Sequence, residues 1–329
     1  MLKGMSDRPE SAVLAEAAAA AGYAPSVHNT QPWRWRVSER GLDLFADRSR
    51  QLQVADTHGR LLVMSCGAAL HHLRVALAAQ GWAALVQRMP DPNDPDHLAH
   101  VDLGERVEVT AEAMRLFQAI RLRHTDRRPV SDTPVAAEAL DAVRAAMTAE
   151  GIDVHVLTAD QVLELGSASA RADQIEVTDP QQLEELAYWV GGDRASGVGV
   201  PDTALVDSPP QTVVPGRDFV RQGTLRTGEG HDREAAYAVL FGQSDEPADW
   251  LRAGEAMSAG WLIASELGLS VLPFSAVIEV LATREFLRRL LSGVGSPYLV
   301  LRLGSPDPLH SGPPHTPRLP AEQIIEMAD

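Results

Sequence analysis

Four arginines fall within eight residues, RLRHTDRR at 121–128, with a single acid, Asp126, among them. Guanidinium forks match phosphate oxygens and form charge-assisted hydrogen bonds of about 1.5–3 kcal/mol each. His124 and Thr125 add a ring nitrogen and a hydroxyl to Arg123 and Arg127. On composition alone a solvated, basic helix end describes the segment better, because cations favour helix C-termini. A second cluster, APSVHNTQPW at 24–33, brings together Pro25, Ser26, Asn29 and Gln31. Its amides offer both donors and acceptors to a polar heterocycle, or to the loop's own backbone. In VLPFS (271–275), backbone N–H groups beside Pro273, Phe274 and Ser275 could face a planar ligand, or the proline could simply break a strand. Arg318, between prolines in HTPRLP (315–320), could deliver one more cation, or belong to a loose end.

Other candidates carry less. His71 and His72 are adjacent on an apolar helix and point about 100° apart, so they do not chelate one metal. His97 and His100 flank an acidic, proline-rich loop. GVGSP (293–297) lacks a third glycine and precedes a strand, which argues against a dinucleotide fingerprint. There is no HExxH and no GxSxG. No metal site and no certain acid, base or nucleophile is expected.

Composition narrows the choice. The 329 residues carry 29 basic and 45 acidic side chains, a formal charge of −16, which opposes nucleic acid and anionic membrane surfaces. Lys3 is the only lysine, which excludes a Schiff-base lysine and a Walker A loop. One cysteine, Cys66, excludes an internal disulfide and Cys-based metal clusters, and suits a reducing, cytoplasmic setting. No apolar run of about 20 residues is expected, and the N-terminus has no basic-then-apolar leader.

Positioning these residues requires a mixed fold. Alanine-rich 10–22 reads as a helix stopped by Gly22, with a hairpin at 33–37 and 42–46. Residues 60–80 read as a buried helix, followed by strands at 82–89 and 98–103. Helices are expected at 110–122, 134–150, 160–176, 180–190, 247–267 and 282–292, and strands at 152–157 and 296–304. Residues 191–230 show no period, as a functional cover or lid often does not, and 305–320 should run extended over the surface. Two apolar helices also match: Gly67 and Gly254 open them, Gly81 and Gly268 close them, at a constant offset of 187. By the same comparison the second copy carries 68 extra residues between strand and helix, and 191–230 lies within that interval.

Together the fragments resemble the FMN-binding nitroreductase superfamily. Arg123, His124, Thr125 and Arg127 match its Arg-His-Ser/Thr-x-Arg segment, which grips the FMN phosphate and ribityl chain. Pro25, Ser26, Asn29, Gln31, Pro32 and Trp33 match its PSxxNxQPW loop, which reaches the flavin of the partner subunit. Leu267, Gly268 and Pro273 match a stretch beside the isoalloxazine, where the residue two after the proline, here Ser275, meets N5. Arg318, Leu319 and Pro320 match a C-terminal return to the phosphate. The order differs from ordinary members: the loop precedes the arginine segment, and each half has what the other lacks. The arrangement is similar to the Acg-type actinobacterial branch.

The resemblance implies an α+β, nitroreductase-like fold of mostly antiparallel sheets flanked by helices, an internal pseudo-dimer in one chain. Residues 1–108 would act as the partner half. Residues 109–329 would carry the phosphate site, with an inserted cover at about 191–230. It implies one FMN per chain, with NADH or NADPH as donor and nitroaromatics or quinones as acceptors. A closed cover would instead make an FMN store. The chain would be a pseudo-dimeric monomer or a homodimer.

Overall fold

The computed structural model describes residues 9–191, 197–308 and 312–328. In the first half, α1 (Glu10–Ala21) leads into the hairpin β1 (Trp33–Ser38) and β2 (Gly41–Ala46), then α2 (Arg60–Ala79), β3 (Trp82–Arg88) and β4 (His97–Arg106). The hairpin forms because WRWRV alternates. Trp33, Trp35 and Val37 are buried while Arg34 faces out, and Gly41 takes a φ of 126° at the turn. After α3 (Ala111–Leu122), the second half runs α4 (Ala137–Ala149), β5 (Asp153–Val156), α5 (Ala159–Thr178) and α6 (Pro180–Trp189). It continues through β6 (Ala236–Gly242), α7 (Pro247–Glu266), β7 (Ser270–Phe274), α8 (Ala276–Glu279), α9 (Leu281–Leu290) and β8 (Ser296–Gly304). The chain closes with β9 (Ile325–Met327).

Two sheets result, ordered β3-β4-β2-β1-β9 and β5-β6-β8-β7. All pairings are antiparallel except β9, which adds parallel to β1. The architecture is therefore α+β with mostly antiparallel sheets, as expected. Without β9 the two sheets have the same strand order, and α1-β1-β2-α2-β3-β4 recurs as α4-β5-β6-α7-β7-β8.

The central helices α2 and α7 each have 20 residues, and both ends keep the offset of 187. They cross on glycines. A Cβ on Gly67 would overlap the Leu251 carbonyl, and a Cβ on Gly254 would overlap the Met64 carbonyl. Met64 and Leu251 are themselves offset-related, so the contact is reciprocal, as in a two-fold interface. The His71 Nδ1 and Ser258 Oγ atoms, 2.9 Å apart and 187 residues apart, meet each other directly. Such a pair lies close to the local two-fold axis.

The structure revises several sequence expectations. The strands β1 and β2 are joined by Glu39 and Arg40, whereas β5 and β6 are joined by residues 157–235. The additional chain thus lies inside one hairpin, and it contains α5 and α6 as well as the unpatterned stretch. Residues 192–196 of that stretch lie outside the described residues. The strand β6 has no alternation because it is central and apolar on both faces, so periodicity missed it. The described residues of 305–320 form no regular element and are mostly exposed or half-buried, as expected, although Leu319 is buried. Beyond them the chain turns inward, where Trp35 N–H donates to the Ile324 carbonyl at 2.7 Å and β9 follows. One helix, α2, is long and apolar enough to cross a membrane by length and composition, contrary to expectation. It is the central core helix and mostly buried.

Candidate functional site

A cavity of about 770 Å³ opens beside the crossing helices. Leu61, Met64 and Ser65 of α2 form one wall, and Met257 and Trp261 of α7 another. The end of β7 and the start of α8 supply Pro273, Phe274 and Ser275, and the loop before β1 supplies Pro25, Ser26 and His28. Thr125 and Arg127 also line it. Residues 205–210 and 215–222 complete the lining. Seven of the twelve expected residues therefore converge on one space. Arg123, His124, Asn29, Gln31 and Arg318 do not line it.

Arg123, which is buried, and Arg318, which is half-buried, form a separate group. Both donate to the Tyr23 carbonyl, at 3.4 and 3.3 Å, and the Arg123 guanidinium lies 4.6 Å from the Trp261 ring centre. The Nε atoms of both are buried without a partner. Among the described residues no carboxylate pairs with either. Burial, then the neighbouring Arg318, holds Arg123 well below the usual arginine range, and burial pushes Arg318 down to about 10. A buried and a half-buried cation side by side without a counterion are costly. What relieves that cost is an anion, so these residues fit the phosphate of a cofactor whose other end would occupy the adjoining cavity.

Asn29 and Gln31 act as ties. Asn29 Nδ2 donates to the carbonyls of Gly199 and Pro317, each at 3.0 Å, while its Oδ1 accepts from Arg318 at 3.1 Å. Gln31 Nε2 donates to the Gly197 carbonyl, and its Oε1 accepts the Leu319 N–H at 2.9 Å. These bonds join the loop, the insertion and the tail. The loop takes left-handed backbone at His28, Asn29 and Gln31 (φ 45°, 55° and 51°), a conformation that costs a non-glycine residue about 1–2 kcal/mol. His124 lies against the Leu122 carbonyl (3.0 Å) and the His315 ring, away from the cavity.

The segment 205–222 is held by polar contacts of Arg217. Arg217 donates to Glu279 at 2.6 Å and Glu176 at 3.0 Å, and its Nη1 lies 2.7 Å from His28 Nε2. Burial, then the charge of Arg217, keeps His28 well below its ordinary value, so its Nε2 is a neutral acceptor. Burial raises Glu176 to about 7, against the opposing pull of Arg217. Ser169 Oγ donates to the Pro215 carbonyl at 2.7 Å, and Val214 is fully buried in a core cluster. Arg127 donates to the Ala204 carbonyl at 3.0 Å, and burial, with Arg217 nearby, pushes it down to about 10.

No family model matches the chain. Two Mycobacterium tuberculosis proteins named "Putative NAD(P)H nitroreductase", acg and Rv3131, do match. The first is 36% identical over 318 residues, 96% of either chain. The second is 38% identical over 310 residues, 93% of this chain and 89% of that one. This chain belongs to the nitroreductase family. The fold agrees: the "putative nitroreductase" of Anabaena variabilis superposes over 92% of this nitroreductase and 90% of its own chain. Its TM-score is 0.50, at 10% identity.

Sequence reasoning missed several residues of the nitroreductase site. Trp261, Met257 and Met64 look like ordinary core positions on apolar helices, and only the helix crossing turns them toward the cavity. Arg217 is one cation in an unpatterned stretch, and nothing local marks its two acidic partners.

Proposed function

We propose that this nitroreductase binds one FMN per chain and uses NADH or NADPH to reduce nitroaromatic or quinone-type acceptors. The observation that carries the reading is the uncompensated pair Arg123 and Arg318 next to the 770 Å³ cavity. Those arginines would hold the phosphate, with Thr125 toward the ribityl chain. Pro25, Ser26, Pro273, Phe274 and Ser275 would border the ring system, and Arg127 would face it as a cation. Bound there, FMN would supply the chemistry, taking a hydride from NAD(P)H and passing it to the acceptor. The chain's own part is to position the cofactor, balance its charge and exclude water.

The pseudo-two-fold relation supports one site per chain. The offset of 187 carries Trp261, Ser275 and Ala68 onto Arg74, Arg88 and Glu255. Those charged residues fill the corresponding place on the other side. Arg74 contacts Glu150 at 2.6 Å and Glu255 at 2.9 Å, and Arg88 contacts Glu255 at 2.6 Å. The loop of residues 22–32 is also reduced there to Glu150–Ile152, between α4 and β5.

As a cover latched by Arg217, the segment 205–222 favours a second reading, an FMN store whose flavin is shielded from donors. Stopped-flow bleaching of the bound flavin separates the two. Reduction by NADH or NADPH within seconds marks a reductase; a flavin that stays oxidised marks a store. A protein that is colourless when purified and takes up no added FMN would falsify both.

A further inference from the structure

His72 is fully buried, at 0% exposure, and among the described residues neither ring nitrogen has a hydrogen-bond partner. Buried polar groups in folded proteins are nearly always paired, and an unpaired one costs about 1–3 kcal/mol. His72 therefore calls for an explanation that core packing does not supply.

Its place on α2 supplies one. Leu61 and Ser65 line the cavity, and His72 continues that face two turns beyond Ser65, about 10 Å along the axis. One turn further on, Val75 packs against Ala119 and Ile120, at the end of α3, with Tyr23 beside them. Arg123 caps α3 at that same end, and the Tyr23 carbonyl accepts from both Arg123 and Arg318. His72 thus occupies the patch of α2 that faces the two arginines. Their own Nε atoms are likewise unpartnered, so among the described residues four buried polar atoms from three side chains lack partners. Among ionisable groups, Arg123, His71 and Arg318 act on the ring, and all three keep it neutral. The offset counterpart of His72 on α7 is Ala259. The half with arginines therefore faces the histidine, and the half without them faces a methyl group.

We propose that His72 is a third side chain of the anion site, donating a ring N–H to the phosphate group that Arg123 and Arg318 bind. This rests on the FMN reading above and adds a residue on the partner-like half. A neutral donor suits the position, since a third cation would add to the repulsion between the two arginines.

The test compares FMN with riboflavin, which has the same ring and no phosphate. In the full-length protein stripped of flavin, His72→Phe should weaken FMN binding about ten-fold or more. Riboflavin affinity should stay within about two-fold, and His72→Gln, which keeps a donor, should recover part of the FMN loss. Nitrogen NMR of the histidine rings in the unaltered protein gives a reading without any substitution. FMN should shift the His72 signals and riboflavin should not. The proposal is overturned if His72→Phe binds FMN as the wild type does or loses both flavins equally. His72 signals that ignore FMN would also overturn it, even if the Phe variant does not fold. If the unaltered protein takes up no FMN at all, the cofactor reading falls and this inference with it. If it binds FMN and His72 is indifferent, only this inference falls.

Discussion

Arg123 does two opposed things in the same place. Without an anion it is a buried, uncompensated cation; with one it is a strong ligand. The two roles have opposite signs in a stability measurement. Arg123→Met should leave the melting temperature of the flavin-free protein unchanged or raise it. The same variant should lose most of the increase that FMN produces and bind FMN about 10–100-fold less tightly. A variant that is destabilised equally with and without FMN would point to a purely structural arginine. Asn29 acts at one remove, through its contacts with Arg318 and Pro317. Asn29→Ala should lower FMN retention and speed proteolysis within 312–328, both read on one preparation.

The insertion between β5 and β6 is anchored by apolar residues such as Leu165, Ala172 and Val214, and beside the cavity by the Arg217 contacts, which makes its hold on the cavity testable. Deleting residues 205–222 outright would also remove Val214 from the core and the Val213 backbone that Gly166 packs on, so a point change is cleaner. Arg217→Ala leaves Glu176 and Glu279 facing each other without a cation. The cover should loosen, and NADPH should reduce bound flavin faster than in the wild type. An unchanged rate would mean that this latch does not limit access. The start of α2 has its own titration. Asp56 Oδ2 accepts the Leu62 N–H at 2.8 Å, yet burial raises Asp56 from 3.8 to about 7. A carboxyl raised on folding contributes stability that is fully present below its unfolded value and is lost as pH rises through the folded one. Stability should fall between about pH 4 and 7 and level off above. Asp56→Asn should flatten part of that slope and be the more stable protein at pH 8, as urea midpoints at the two ends would show. Glu176, also raised to about 7, keeps some slope in the variant.

At the scale of the molecule, two sets of elements with the same strand order meet through one helix crossing and hold different residues around it. The crossing depends on the absence of two side chains. Gly67→Ala and Gly254→Ala should each cost about 1–3 kcal/mol or more, and by similar amounts, because each would drive a methyl group into the opposite backbone. Matched losses in thermal melts support the reciprocal packing; one silent site would contradict it. The charge of −16 does not prevent phosphate binding. A diffuse surface field is screened within about 10 Å, whereas Arg123 and Arg318 act from within a buried site.

Much of the site was legible because its chemistry is local in sequence. Thr125 with Arg127, Pro25 with Ser26, and Pro273 through Ser275 fall in short segments whose residue types already suggest a ligand, and the structure brings all three segments to one cavity. Asn29 and Gln31 were legible as polar loop residues, but not as ties, because their partners are some 170 to 290 residues away. The strands β6 and β9 escaped for related reasons: one is apolar on both faces, and the other is a strand only because β1 offers its edge.

The sequence by itself determined which residue types were available, where the helices start and stop, the family, and the offset of 187 between two helices. These are properties of composition, spacing and period, which a chain carries before it folds. Tertiary structure alone decided which polar atoms lost their water without gaining a partner. Arg123, Arg318 and His72 come from three distant segments, and their shared lack of partners exists only once α2, α3 and the tail have packed. Tertiary structure also decided that the additional chain in one hairpin lies over the cavity. Burial and charge compensation depend on all neighbours at once, and no local pattern encodes them.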